Sequence, residues 1–130
     1  MTDNLQESIE FLATNETKEG VVTTDSGLQY KVLIEGTGAS PAATDVVCVH
    51  YAGRLLDGSE FDSSYKRGAP AEFPVNGVIK GWTEALQLME EGSKWELYIA
   101  PELGYGEYGY PGVIPSNALL IFEVELIKVK

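Results

Sequence analysis

Cysteine and histidine are all but missing from this chain. Cys48 stands alone, which excludes an intramolecular disulfide and any cysteine metal cluster. His50 is equally alone, which excludes a histidine-rich metal site and argues against Cys-His and Ser-His-Asp nucleophilic catalysis. Basic residues are scarce too: 9 Lys and Arg stand against 20 Asp and Glu, for a net charge of −11 and a pI near 4.4. So thin a scatter of cations disfavours a phosphate backbone, and nucleic acid is not expected as a partner. No apolar run reaches membrane-spanning length, and the N-terminus is acidic where a secretory signal needs positive charge before an apolar stretch. The expectation is a soluble, cytoplasmic protein with no membrane partner, no metal and no cofactor. What the chain has in quantity is apolar: 44% of its 130 residues, enough for one domain with an adequate core.

The apolar pattern divides the chain unevenly. A helical lead comes first, with Asp3 as its cap, Gln6 three residues on, and Leu5, Ile9 and Leu12 recurring on one face. Residues 1 to 27 hold six acids against one base, Lys18, which reads as a solvated face or an interaction tail. Gly20 closes this lead, giving residues 1–20 as a helical segment and 21–130 as the main domain. From Leu28 the period changes to two, with Leu28, Tyr30, Val32 and Ile34 as the buried side of a strand. Further strands are expected at 45–56, at 71–75 with Pro74 favouring an edge or bulge, at 94–99 and at 119–129. Residues 81–89 form one short helix, because Trp82, Ala85, Leu86 and Met89 recur at helical spacing and Gly92 follows. The fold class is α+β: a twisted antiparallel sheet of about five strands wrapped around one short helix, with an extra N-terminal helix.

A Gly/Pro/Tyr-rich loop covers 101–117, and in it Gly104, Gly106 and Gly109 match the dinucleotide fingerprint G-x-G-x-x-G. That fingerprint works only where the glycines open a helix onto a pyrophosphate, and here Pro111, Gly112 and Pro115 follow instead. The glycines serve a tight loop that places Tyr105, Tyr108 and Tyr110. Asn15-Glu16-Thr17 matches a glycosylation acceptor, which carries no weight without a secretory signal. Val78-Ile79-Lys80-Gly81-Trp82 sets branched residues and a tryptophan at a helix start, as either plain core or the floor of an apolar pocket. Aromatics abound (Tyr51, Phe61, Trp82, Tyr105, Tyr110, Phe122), while Phe73 and Trp95 read as core. Asp62, between Phe61 and Ser63, is a turn cap or a functional carboxylate.

Taken in order, Val49-His50-Tyr51, Leu56-Asp57-Gly58 leading to Phe61-Asp62-Ser63-Ser64, Val78-Ile79-Lys80-Gly81-Trp82, Tyr105-Gly106, Pro111-Gly112-Val113-Ile114-Pro115 and Leu120-Ile121-Phe122 resemble the FKBP family of peptidyl-prolyl cis-trans isomerases. The segments 26–32 and 82–89 are similar in particular to its bacterial macrophage infectivity potentiator branch. The resemblance implies a rotamase that accelerates Xaa-Pro bond rotation during protein folding, acts on proline-containing unfolded or flexible polypeptides, and is inhibited by macrolides such as rapamycin and tacrolimus. It places Trp82 at the base of a proline pocket, Tyr51, Phe61 and Phe122 on its walls, and Val78 and Ile79 along a rim where the Ile79 N–H meets a carbonyl. It puts Asp62 and the Tyr105 hydroxyl at the mouth, with Tyr110 and Ile114 covering the site. Two departures stand out: Ala71 where many members have a wall aromatic, and Tyr110 where others vary. A non-catalytic module that grips proline peptides or a protein partner is the alternative. The lead resembles the end of the long helix that follows a dimerisation domain in that branch. A monomer is expected, with a periplasmic location if the N-terminus has been trimmed.

Overall fold

The computed structural model describes residues 4–130. The lead forms α1 (Asn4–Asn15), and its expected cap, Asp3, lies outside the described residues. Leu5 and Ile9 are 40% and 53% exposed, so the docked face keeps Leu12 of the expected apolar set but is turned away from the other two. The buried face is Ser8, Phe11, Leu12 and Asn15, with Phe11 and Leu12 packed on Tyr98, Leu119 and Ile121. Hydrogen bonding decided this: Asn15 Nδ2 donates to Gln29 Oε1 at 2.8 Å, and Gln29 Nε2 donates to the Leu12 carbonyl at 2.9 Å. A buried polar group must be paired, and these two residues can pair only with this face inward.

The remaining elements are β1 (Val21–Thr23), β2 (Gln29–Ile34), β3 (Val46–Leu55), β4 (Glu60–Ser63), α2 (Ser64–Arg67), β5 (Ala71–Pro74), α3 (Lys80–Leu88), β6 (Lys94–Ile99) and β7 (Leu120–Val129). They build the expected antiparallel sheet, of seven strands rather than five, in the order β1-β2-β6-β7-β3-β4, with β5 beside the other half of β3. The two extra strands, β1 and β4, have three and four residues, too few to display a period of two. β3 and β7 pair from Val47↔Val129 to Leu55↔Leu120, and β6 pairs β7 from Lys94↔Glu125 to Ile99↔Leu120.

Alternation sorts these strands into two faces. Val47, Val49, Tyr51, Leu97, Ile99, Leu120, Phe122, Val124 and Leu126 face α3, where Trp82, Ala85, Leu86 and the following Met89 complete the main core. Tyr98 and Ile121 face the other way, toward α1. β2 departs from its expected half-buried pattern: Leu28 is fully buried, but Val32 and Ile34 are 36% and 53% exposed. Those two pair with Trp95 and Lys94 at the very start of β6, where the pairing of β2 with β6 ends.

Candidate active site

Trp82 is one turn into α3, and because α3 lies against the sheet its ring is only 4% exposed. Three rings stand edge-on to it: Tyr51 at 5.1 Å and 84°, Phe122 at 5.2 Å and 82°, Phe73 at 5.7 Å and 87° between centroids and planes. Phe61 closes the box against Phe122 at 5.4 Å and 88°. Edge-to-face geometry suits aromatic quadrupoles, so the cluster is rigid as well as apolar. Gly53 on β3 makes it possible, since a Cβ there would lie 2.6 Å from Phe122 Cε1 and 2.7 Å from Phe61 Cζ. The result is a cleft of about 460 Å³ with Trp82 as its floor. The indole N–H of Trp82 is buried among these rings without a hydrogen-bond acceptor among the described residues.

One rim is Gly77, Val78 and Ile79, the backbone between a single 3₁₀ turn (Val75–Gly77) and α3. Ile79, the N-cap of α3, has extended backbone and makes no side-chain cap bond, and its own N–H has no backbone acceptor among the described residues. The opposite rim carries the polar groups. Asp62 on β4 accepts from Tyr51 Oη at 2.6 Å and from Arg67 Nη1, while Arg67 Nη2 donates to Tyr51 Oη at 2.8 Å. The Arg67 guanidinium also sits 5.5 Å from the Tyr51 ring centre. Burial works to raise the Asp62 pKa, but the hydrogen bonds from Tyr51 and Arg67 outweigh it and hold the carboxyl below its ordinary value. Burial pushes the Tyr51 phenol up, with the bond to Asp62 adding to it, and burial likewise raises Tyr105, so both phenols stay protonated donors.

Asp62 is not the turn cap. Ser63 takes that place, its Oγ accepting from the Lys66 N–H at 3.3 Å to start α2. The adjacent Ser64 is fully buried and anchors the site from behind: its Oγ accepts from the Tyr51 N–H at 2.7 Å and lies 2.8 Å from His50 Nδ1. Tyr51 is thereby held at backbone and hydroxyl alike.

The structure gathers Tyr51, Phe61, Asp62, Val78, Ile79, Trp82, Tyr105 and Phe122 around one cleft. Tyr110 and Ile114 do not line it. Tyr110 is 54% exposed and meets the cleft only through the Tyr105 ring, edge-on at 5.8 Å, whereas Ile114 is 5% exposed and belongs to the core. Phe73 corrects the sequence reading: it lines the cleft rather than being plain core, and it stands two residues beyond Ala71 on the same face of β5. Trp95 is core, stacked on Tyr30 at 4.2 Å. Arg67 and Gly77 were missed, since nothing local marks a four-residue helix as the carrier of a carboxylate's partner. The glycine fingerprint opens no helix: Gly106 and Gly109 take positive φ in consecutive turns. No cluster of His, Cys, Asp or Glu able to hold a metal occurs among the described residues. Chemically, the cleft can strip water from a small apolar ring while donors at both rims hold a polar chain across it.

A family model described as FKBP-type peptidyl-prolyl cis-trans isomerase matches residues 38–127, and one described as the domain amino terminal to FKBP-type peptidyl-prolyl isomerase matches residues 1–32. The FKBP-type 22 kDa peptidyl-prolyl cis-trans isomerase of Escherichia coli (strain K12) is 58% identical over 123 residues, covering 95% of this chain and 60% of that protein. Outer membrane protein MIP of Legionella longbeachae is 52% identical over 120 residues, covering 92% of this chain and 52% of that protein. The crystal structure of FkpA from Escherichia coli matches with a TM-score of 0.95 at 47% sequence identity, over 98% of this chain and 60% of that one. The chain spans about half the length of the curated relatives it matches. Motifs, cleft and fold agree along nearly all of its residues, and the chain belongs to the FKBP family of peptidyl-prolyl cis-trans isomerases.

Proposed function

We propose that the cleft accelerates rotation about Xaa-Pro bonds in unfolded or flexible polypeptides. The observation that carries this reading is the aromatic box of Tyr51, Phe61, Phe73 and Phe122 over Trp82, with the unclaimed Ile79 N–H at its rim. Rotation breaks amide resonance against a barrier of about 18–20 kcal/mol and requires no nucleophile. The twisted amide has lost much of its charge separation, so a dry apolar box favours it over the planar ground state. Each 1.36 kcal/mol of that difference gives about tenfold in rate, so roughly 5–7 kcal/mol makes a competent isomerase. The Ile79 N–H and the Tyr105 hydroxyl hold the substrate carbonyls. Asp62, ionised and already engaged by two donors, orients Tyr51 and shapes the local field without transferring a proton.

Rapamycin and tacrolimus, as apolar macrolides, would compete for the same box. The test is cis-to-trans relaxation of a short Xaa-Pro peptide with wild type and Trp82→Ala, with and without rapamycin. Acceleration that the macrolide blocks and the folded mutant lacks supports the proposal. A folded wild type that binds the peptide without accelerating it would make the cleft a binding module. Sedimentation of the same sample checks the expected monomer. The name of the Legionella longbeachae relative supports a cell-envelope location over the cytoplasmic one, which fractionation of the producing cell would decide. No helix among the described residues is long and apolar enough to cross a membrane.

A further inference from the structure

The loop between β6 and β7 brings Tyr105 into the cleft at one end and meets α1 at the other. Such a loop holds a side chain in place only where its backbone is tied down. Among its internal bonds are the Gly106 N–H to the Pro101 carbonyl at 2.8 Å, the Gly109 N–H to the Tyr105 carbonyl at 3.1 Å, the paired bonds between Tyr110 and Ile114, and the Asn117 N–H to the Gly106 carbonyl at 2.9 Å. The last joins the two ends, setting Asn117 beside the residue that follows Tyr105. Asn117 has φ 55°, unlike any other non-glycine among the described residues, and a side chain held in this left-handed region needs a reason.

That reason lies on α1. Ser8, 1% exposed, directs its hydroxyl at the Asn117 carbonyl at 3.1 Å, sharing the proton with the Asn4 carbonyl at 2.8 Å. Asn4 Nδ2 donates to the neighbouring Ser116 carbonyl at 3.1 Å. α1 itself is docked by other means, through Phe11, Leu12 and the buried Asn15–Gln29 pair. The Ser8 bond comes in addition to these contacts, and it falls on the one non-glycine among the described residues with a positive φ.

We propose that α1 is a positioning element for the cleft: Ser8 and Asn117 form a clamp that fixes Tyr105 through the Asn117–Gly106 bond. The proposal rests on the reading of the cleft as a proline site. Because α1 lies within the segment matched as the amino-terminal domain, the clamp joins that segment to the substrate loop.

The test compares Ser8→Ala, Asn117→Gly and Asn117→Ala by amide chemical shifts of Tyr105 and Gly106 and by kinetics on a short Xaa-Pro peptide. Ser8→Ala should move both amides and raise KM about fivefold with kcat nearly unchanged, the loss of one hydrogen bond expressed as uniform binding. Asn117→Gly keeps the left-handed backbone and should stay near wild type, whereas Asn117→Ala should behave like Ser8→Ala. A lower Tm in Ser8→Ala with unmoved Tyr105 and Gly106 amides and unchanged KM would overturn the clamp and leave packing alone. If Ser8→Ala fails to fold, the contrast between the two Asn117 variants decides. If wild type itself does not turn over the peptide, the functional reading fails, and the two amides alone judge the clamp.

Discussion

At Asp62 a carboxylate is held by donors from two different elements, Tyr51 on β3 and Arg67 on α2. Because its folded pKa lies below the unfolded value, the bonds stabilise the protein fully above about pH 4 and are lost as pH falls through the lower folded value. With the carboxylate 42% and the guanidinium 49% exposed, the effect is screened to less than about 1 kcal/mol. The Tm difference between wild type and Asp62→Asn should accordingly be small at pH 7 and vanish in acid. A difference that grew on acidification would mean that Asp62 is not the ionised partner. Isomerase activity should show no Asp62 titration between about pH 5 and 8, since the group is already ionised throughout. Gly53 gives a sharper test. Gly53→Ala forces Phe61 and Phe122 apart and should cost about 1–3 kcal/mol in stability from overpacking, with about a tenfold fall in kcat/KM. Wild-type turnover in that variant would show that the contact between these two rings does not matter. Aromatic side chains were legible one by one. Phe73 was misjudged because core and cleft wall have the same local sequence signature.

α2 is four residues long, bounded by Ser63 at its start and by Gly68 with φ 75° at its end, and its purpose in the cleft is to present Arg67. Ser63→Ala removes the cap and should cost about 1 kcal/mol. It should also loosen Arg67, so kcat/KM ought to fall further than in Lys66→Ala, which leaves the cap intact. Equal kinetics in the two would separate the helix from the chemistry. Longer elements were legible from periodicity, as β3, β6, β7 and α3 demonstrate to within a residue. The shortest ones were not, because three or four residues cannot carry a period. α1 was legible as a helix but only partly in its facing: apolar spacing favoured Leu5, Ile9 and Leu12, while the docked face keeps Leu12 and adds Phe11 and the buried Ser8 and Asn15, the last paired with Gln29.

Across the whole molecule the acids outnumber the bases, and among the described residues Arg54, Lys66, Arg67, Lys94 and Lys130 are engaged in ion pairs. Exposed pairs contribute little, whereas the excess of like charge repels itself throughout the chain. Salt should therefore raise Tm at pH 7, most steeply below about 0.15 M, where the screening length shrinks to about 8 Å. A Tm that fell with salt would show the ion pairs to be the larger effect. Composition and local pattern by themselves determined the class of sheet, the central helix, the aromatic supply for a cleft, and the exclusion of an intramolecular disulfide. Each of these depends on which residues are present or on spacing within a few positions. Only the tertiary structure decided that Phe73 faces the cleft, that Arg67 and Tyr51 hold Asp62, that Ile114 turns into the core, and that Ser8 reaches the loop of Tyr105. Those are contacts between residues far apart in sequence or carried by short turns, and they follow from strand register and the pairing of buried polar groups, which no local period encodes.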